Sequence, residues 1–213
     1  MARAARPSPK PARAFQRMLS GRRLDLLDPS PLDIEIEDIA HGLARVARWN
    51  GQTTGPHVFS VAQHSVLVEH LAGALDPGIP ARWRMMALLH DAPEYVIGDM
   101  ISPFKAVIGD SYKDVEERLL GAIHLRFSLP PKPPAATVKL TKKADRAAAF
   151  IEATRLAGFS LDEAEQFFER PRIAMGNIDR FIEPMNAREA ETLFLARFGE
   201  LEAELSGSVS KDR

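Results

Sequence analysis

The chain has no cysteine, few aromatic residues and almost no net charge. Its 213 residues include 2 Trp and 2 Tyr, and 28 Lys and Arg against 29 Asp and Glu give a formal net charge of −1. Without cysteine, disulfides, thiolate zinc sites and cysteine nucleophiles are excluded, and a reducing, cytoplasmic compartment is expected. The near-neutral balance gives no overall field that would attract nucleic acid or an anionic membrane.

Long hydrophobic runs and strand patterns are also scarce. No window approaches the roughly 18 apolar residues of a membrane-spanning helix, and the one alternating run, residues 32–36, is short. Helical periodicity dominates instead. We predict helices at residues 36–48, 60–75, 81–91, 110–127, 137–157, 161–170 and 186–204. With no internal repeat, this pattern predicts a single all-α domain, a helical bundle.

The termini differ from the rest of the chain. The first 23 residues contain seven Lys or Arg and no acid, with prolines at positions 7, 9 and 11. Prolines so close together oppose a helix, and low hydrophobicity opposes a packed core. We therefore predict a flexible basic tail over 1–23, a helical domain over 24–205 and a second flexible tail over 206–213.

His64 lies on an apolar face of a predicted helix. Ser60 and Gln63 form an S-x-x-Q capping box at its start, and Val61, His64 and Val68 follow helical spacing. An inward histidine is either a structural residue satisfied by a hydrogen bond or a metal ligand, since neutral imidazole is the commonest protein metal ligand.

The stretch LLHDAPEYVIGD, residues 88–99, places charged groups where apolar residues indicate the core. His90 and Asp91 follow two leucines, and Glu94 and Asp99 come shortly after. Buried charges are paired or coordinate metals. The core of a helix bundle is a natural place for facing helices to converge on a metal, so we expect His64 and His90 to face each other.

Asp145 and His57 are further candidates in different settings. Asp145 stands in an alanine-rich helix that can pack closely on a neighbour; its alternative is a surface ion pair with Lys142 or Arg146. His57, in the glycine-rich loop 50–57, is placed to contact a ligand.

The pattern of a helix-borne His, then His-Asp, then a distant Asp resembles the H…HD…D signature of the HD-domain phosphohydrolase superfamily. The residues that match are His64, His90, Asp91 and Asp145. The likeness is greatest to the bacterial HD-domain 5′-deoxynucleotidases. Their HD-A-x-E-x-x-x-G-D pattern is met by residues 90–99, their following x-x-P-x-K by a stretch that ends at Lys105, and their Arg-Trp pair by Arg48-Trp49.

The resemblance implies a fold, a cofactor and roles for these residues. The four matching side chains would bind one divalent ion, and two His with two Asp suit Mn²⁺, Co²⁺, Fe²⁺, Ni²⁺ or Zn²⁺ better than an all-oxygen Mg²⁺ site. Glu94 would position or deprotonate the attacking water, and Asp99 would help to protonate the leaving 5′-oxygen.

The resemblance also implies residues that contact the substrate. Arg48 suits a bidentate grip on phosphate, and Lys105 would also contact substrate. Trp49 would either stack on the base or sugar or simply pack the helix. A homodimer is implied by the family likeness alone.

We therefore expect a metal-dependent hydrolase of (deoxy)nucleoside 5′-monophosphates. One alternative keeps the metal and changes the substrate to a triphosphate, a pyrophosphorylated nucleotide or a cyclic dinucleotide. Another is a regulator that binds metal or nucleotide without turnover. The presence of Glu94 and Asp99 beside the ligands argues against the regulator, because binding alone does not require both.

Overall fold

The computed structural model describes residues 14–100, 110–168, 170–171 and 178–209. Over these residues the protein is mostly helical, as predicted from the periodicity. The α-helices are α1 (Ile36–Leu43), α2 (Val61–Leu75), α3 (Ala81–Leu88), α4 (Glu94–Ile97), α5 (Asp110–Arg126), α6 (Ala135–Arg155), α7 (Leu161–Phe167), α8 (Asp179–Ile182) and α9 (Ala187–Val209). Short 3₁₀ turns cover Pro31–Asp33 and Arg48–Gly51. In the described parts of the chain, no helix is long and apolar enough to cross a membrane.

Helix α2 lies at the centre and packs against α6, α3 and α9. Every residue from Val61 to Glu69 is buried, as expected for a helix that is covered on all sides. The apolar core extends from Leu24 near the start of the described chain to Leu201 in α9. The residues of α2 are therefore held by neighbours on several sides.

Helix α3 ends earlier than predicted, and this changes the setting of His90 and Asp91. The sequence predicts a helix over 81–91, but the last helical residue is Leu88. Pro93 has no N–H, and its ring would clash with the carbonyl four residues earlier, at Leu89. The chain therefore leaves the helix there. His90 and Asp91 lie in a turn with bonds from Ala92 N–H to Leu89 O and from Glu94 N–H to Asp91 O, both 3.0 Å.

Part of the predicted N-terminal tail forms a hairpin. Strands β1 (Phe15–Arg17) and β2 (Arg23–Asp25) pair antiparallel, with Gln16 opposite Leu24. Leu24 is buried in the core, and Ser20 donates from its backbone and its hydroxyl to Asp38 of α1, at 3.0 and 2.5 Å. The basic composition of residues 1–23 led to the prediction of a flexible tail, and the apolar contact of Leu24 with the core was not predicted. Residues 1–13 lie outside the described residues.

The C-terminal boundary also differs from the prediction. The sequence predicts a helix over 186–204 and a flexible tail from 206, whereas α9 continues through Val209. Residues 210–213 lie outside the described part of the chain.

Candidate metal centre

Helix α2 delivers His64 to the centre of the molecule. The Ser60 hydroxyl caps the helix by accepting from Gln63 N–H at 3.3 Å. The predicted capping box is only half present, because the Gln63 side chain bonds Glu183 O and Met185 N–H instead. The cap fixes where α2 begins, and one turn later His64 is completely buried.

The turn after α3 delivers His90 and Asp91. His90 Nδ1 lies 2.8 Å from Ala87 O. Because a carbonyl oxygen only accepts, Nδ1 carries the proton and Nε2 presents its lone pair. His90 thus resembles a typical metal-ligating histidine, whose other ring nitrogen donates to a carbonyl or carboxylate.

Four side chains from three parts of the chain converge. His64 Nε2 lies 3.4 Å from Asp91 Oδ2 and 3.3 Å from Asp145 Oδ1. His90 Nε2 lies 3.2 Å from Asp91 Oδ2. The two imidazole rings are tilted, with centroids 5.3 Å apart. The side-chain exposure rises from 0% at His64 to 41% at Asp145, so the cluster opens towards solvent on the Asp145 side.

The donor set fits a divalent metal ion. Ligand atoms of His64, His90 and Asp145 lie within 4.8 Å of one another, and the Asp91 oxygen lies close to both imidazoles. Within the described residues, the buried Nε2 atoms of His64 and His90 have no hydrogen-bond partner. Nitrogen and oxygen ligands about 2.0–2.2 Å from an ion lie roughly 3 Å apart in tetrahedral or octahedral geometry. The spacing of this cluster is compatible with that range.

Glu152, which the sequence reading missed, lies directly behind His64. Its Oε1 is 2.5 Å from His64 Nδ1. Its Oε2 accepts from Arg48 Nε at 3.2 Å and from Trp49 Nε1 at 2.8 Å. Glu152 follows Asp145 by seven residues on α6, so both project from one face of that helix. This i, i+7 spacing in an alanine-rich helix was the available signal.

The charges of these groups shift one another's pKa values. Burial alone would raise the pKa of Glu152, but Arg48 and His64 outweigh it and lower the pKa to about 2. Burial likewise opposes ionisation of Asp91, yet His90 and His64 hold its pKa well below 3.8. Burial and Arg48 both lower the pKa of His64, and the surrounding carboxylates outweigh them and raise it well above 6.5. The cluster has an excess of negative charge, which a cation would offset.

Arg48 and Trp49 form a strained turn beside this cluster. Trp49 and Asn50 have φ of 56° and 50°, in the left-handed region that bulky residues rarely adopt. Such a conformation costs about 1–3 kcal/mol per residue and persists where the surroundings enforce it. Here the Trp49 indole donates to Glu152, and its ring packs against Phe159 and Phe168 at 5.7 and 5.8 Å. These contacts favour the packing alternative for Trp49.

Glu94 and Asp99 bracket α4. Glu94 begins the helix and is buried. Gly98 ends it with φ of 76°, a conformation that glycine adopts without strain. Asp99 follows, and its Oδ2 accepts from Arg48 Nη1 at 3.2 Å. The structure therefore brings Asp99, Arg48, Glu152 and His64 into one connected set of contacts.

His57 is not part of this set. His57 lies in an exposed loop between the 3₁₀ turn and α2, and none of the contacts above involves its side chain. Lys105 lies outside the described residues.

A cavity of about 890 Å³ adjoins the cluster. His90, Asp91 and Asp145 line one end, and its walls continue along α5 and α6. Val138, Lys142 and Asp145 line it from one face of α6, as their i, i+4, i+7 spacing requires. The volume is within the 300–1,000 Å³ typical of small-molecule sites.

Comparison with known proteins finds similarity to two proteins, each named as uncharacterized. No family model matches the chain. It is 56% identical over 197 residues to the uncharacterized protein RCAP_rcc00048 of Rhodobacter capsulatus, covering 92% of this chain and 99% of the relative. It is also 34% identical over 118 residues to the uncharacterized protein YfdR of Escherichia coli K12, covering 55% of this chain and 61% of that protein.

The fold and cluster define a mostly helical protein with a His/Asp site that can hold a metal. The chain belongs to the same family as the Rhodobacter protein.

Proposed function

We propose that the protein is a divalent-metal-dependent phosphohydrolase that releases phosphate from (deoxy)nucleoside 5′-monophosphates. The observation that carries the proposal is the convergence of two imidazole Nε2 atoms and two aspartate oxygens at 3.2–3.4 Å, with a partly buried arginine nearby. The resemblance of these same residues to the HD-domain signature supplies the substrate class.

His64, His90, Asp91 and Asp145 would hold the ion. When bound, such an ion supplies charge stabilisation for phosphoryl oxygens and activation of a water nucleophile. The chain's own task at this end is to direct both Nε2 atoms at the carboxylates. The bond from His90 Nδ1 to Ala87 O at 2.8 Å orients one ring in this way.

Arg48 is suited to bind the phosphoryl group. Its Nε and Nη1 donate to Glu152 and Asp99, which fixes the plane of the guanidinium. Its Nη2 takes no part in either bond and is proposed to donate to a phosphoryl oxygen. An arginine held rigidly in this way loses little further freedom when it binds an anion.

Glu94 and Asp99 are proposed to move the protons. Glu94 is buried three residues after Asp91, where a carboxylate can accept a proton from the attacking water. The proton that Glu94 takes from the water balances the one that the leaving 5′-oxygen gains, and Asp99, which also holds Arg48, would help to pass it on. A proton-transfer group of this kind typically contributes 10²–10⁴-fold to the rate.

The cavity is proposed to receive the nucleoside. It begins at the exposed side of the metal cluster and has mainly apolar walls, which suit a base and sugar. Lys142, one turn before Asp145, lines the same cavity and would offset negative charge on the substrate.

The test is phosphate release by protein stripped of metal and reloaded with Mn²⁺, Co²⁺, Mg²⁺ or Zn²⁺. The substrates are ribo- and deoxyribonucleoside 5′-monophosphates, with a triphosphate, a pyrophosphorylated nucleotide and a cyclic dinucleotide for comparison. We expect monophosphate turnover that disappears in Asp91→Ala and persists in Asp162→Ala, an exposed acid at the start of α7. If the protein binds metal and hydrolyses one of the comparison substrates instead, that substrate would replace the nucleoside monophosphates in the proposal. Bound metal without any turnover would favour a regulator.

A further inference from the structure

The Glu152 carboxylate lies between the candidate metal cluster and the Arg48–Trp49 turn. It is completely buried and meets three nitrogen atoms: His64 Nδ1 at 2.5 Å on Oε1, and Arg48 Nε and Trp49 Nε1 at 3.2 and 2.8 Å on Oε2. One side chain thus contacts both the metal side and the proposed anion side of the site.

On the metal side, Glu152 determines which nitrogen of His64 carries the proton. A carboxylate oxygen only accepts, so the 2.5 Å contact makes Nδ1 the donor. In the neutral ring Nε2 then keeps its lone pair, directed at the oxygens of Asp91 and Asp145. The carboxylate thereby selects the tautomer that can bind a metal through Nε2.

On the anion side, the same carboxylate fixes Arg48 and the strained residue after it. The bonds from Arg48 Nε to Glu152 and from Nη1 to Asp99 define the orientation of the guanidinium. The bond from Trp49 Nε1 holds a residue with φ of 56° in place. Without Glu152, Trp49 loses the hydrogen bond of its indole and Arg48 keeps only the side-chain bond to Asp99, so the guanidinium is held at one point instead of two.

We propose that Glu152 is a positioning residue that presents His64 to the metal and Arg48 to an anion, so that both binding steps depend on one buried carboxylate. The anion half rests on the proposed function; the metal half requires only that the cluster binds an ion.

Substitution by glutamine gives a specific expectation. Two donors face Oε2 and one faces Oε1, so the amide oxygen of Glu152→Gln would take the Oε2 position and its NH₂ would face His64 Nδ1. A donor facing a donor is unfavourable, and the imidazole escapes it by moving its proton to Nε2. That proton occupies the metal-binding lone pair. Loss of such an outer partner typically weakens metal affinity 10–100-fold.

The experiment measures Zn²⁺ affinity by chelator competition for the wild type, Glu152→Gln and Glu69→Gln. Glu69 is the matched control, because it is equally buried and paired with arginines, Arg84 at 2.6 Å and Arg197 at 2.8 Å, but contacts none of the cluster residues. Both variants lose a buried negative charge. Only Glu152→Gln is expected to lose roughly 10–100-fold in zinc affinity.

Two further readouts separate positioning from general damage. In ¹⁵N-histidine spectra of zinc-loaded wild type, one ring is expected to show a strongly hydrogen-bonded Nδ1–H, absent in Glu152→Gln. Binding of inorganic phosphate at saturating Zn²⁺ is expected to be weaker by about fivefold or more in the same variant, the lower end of typical coupling between sites. If Glu152→Gln does not fold, Glu152→Asp keeps the charge but is one methylene too short to reach both sides. It is expected to show the same losses in smaller degree.

Zinc affinity equal to that of the wild type in Glu152→Gln, or in Glu152→Asp if that variant is used, would overturn the inference. So would weaker zinc binding with unchanged phosphate binding at saturating zinc, because the two sides would then be independent. A wild type that binds no zinc would overturn this inference as stated, and failure to bind Mn²⁺, Co²⁺ and Mg²⁺ as well would also overturn the proposed function. A wild type that hydrolyses no phosphomonoester, with zinc and phosphate affinities falling as stated, would overturn the proposed function alone.

Discussion

Glu94 is the single residue on which the proposed chemistry depends most. It is buried at the first position of α4 and is not needed to complete the metal cluster. We therefore expect Glu94→Gln to lower kcat by roughly 10²–10⁴-fold, the usual contribution of a proton-transfer group, with zinc affinity within about twofold of the wild type. Steady-state kinetics and chelator competition measure the two quantities.

A second glutamate substitution controls for the loss of charge. Glu183→Gln changes an exposed residue at the end of α8 and should leave both quantities unchanged. Wild-type turnover in Glu94→Gln with metal retained would remove Glu94 from the proton-transfer step.

His124 gives a residue-scale prediction about acid stability. It is buried in α5, where its Nδ1 donates to Pro131 O at 3.4 Å, and burial outweighs this bond and lowers its pKa below 6.5. The folded state therefore binds fewer protons than the unfolded state. Stability present above pH 6.5 is lost as the pH falls towards the folded-state pKa, by at most about 1.4 kcal/mol per pH unit for one group.

The variant His124→Gln should weaken this pH dependence. Urea unfolding at several pH values between 7.5 and 5 measures the free energy of unfolding, and the slope for the variant should be smaller than for the wild type. The other histidines are the same in both proteins, so their contribution to the pH dependence drops out when the two slopes are compared. Equal slopes would show that His124 is not desolvated as the structure indicates.

At the level of single residues, the sequence predicted the candidate metal ligands better than the residues that hold them in place. His64 lies on the inward side of α2, as helical spacing indicated, whereas His90 and Asp91 reach the cluster from a turn that the sequence placed inside a helix. Glu152 was missed because an acid among alanines looks like an ordinary solvated residue. The left-handed Trp49 had no local signal, since tertiary contacts impose that conformation.

Among the elements, α1 and α4 meet at an unusually close contact. A Cβ on Gly42 would lie 2.7 Å from Tyr95 Cβ and 2.8 Å from Tyr95 O. We expect Gly42→Ala to push α4 away and to destabilise the protein by roughly 1–3 kcal/mol, as is usual for overpacking. Because Glu94 begins α4, kcat should fall as well.

The matched control is Gly199→Ala in α9, where an added Cβ meets nothing within 4 Å. Alanine is a better helix former than glycine, so this variant should be neutral or more stable by about 0.5–1 kcal/mol. Urea unfolding and kcat are measured on both variants. Equal effects of the two substitutions would contradict the close contact.

Element positions were predicted from periodicity more reliably than element ends. The helices around 60–75 and 110–127 appear close to the expected places, because their long apolar patterns leave little choice. The end of α3 is set by Pro93, whose ring would clash with a carbonyl one helical turn earlier in the chain. The helix therefore ends several residues before the proline. The hairpin at residues 15–25 depends on Leu24 and Ser20 reaching α1, a contact that local sequence does not encode.

For the whole molecule, the cluster predicts that metal stabilises the fold. Binding only to the folded state at a free Zn²⁺ concentration of 100 times Kd adds about 2.7 kcal/mol. For a chain of this size, that corresponds to a rise in Tm of about 5–10 °C. Thermal unfolding with EDTA or with Zn²⁺ measures the difference.

Asp145→Ala should remove most of this rise, and Asp162→Ala should keep it. A Tm independent of zinc in the wild type would show that the cluster does not bind this ion, whatever the activity. The fold class was predictable at this scale because helical periodicity runs through most of the chain, whereas the way the helices pack required the structure.

The cluster and its supports come from residues as distant in the chain as Arg48 and Glu152, and Asp145 is the last of the four candidate metal ligands to be synthesised. A ribosome must therefore release well over half of the polypeptide before the ion has a complete set of ligands. Coordination of a cation by all four side chains requires α2 and α6 to be packed together. In a cell, an ion that binds only the folded chain would raise the share of chains that stay folded as well as fill the site.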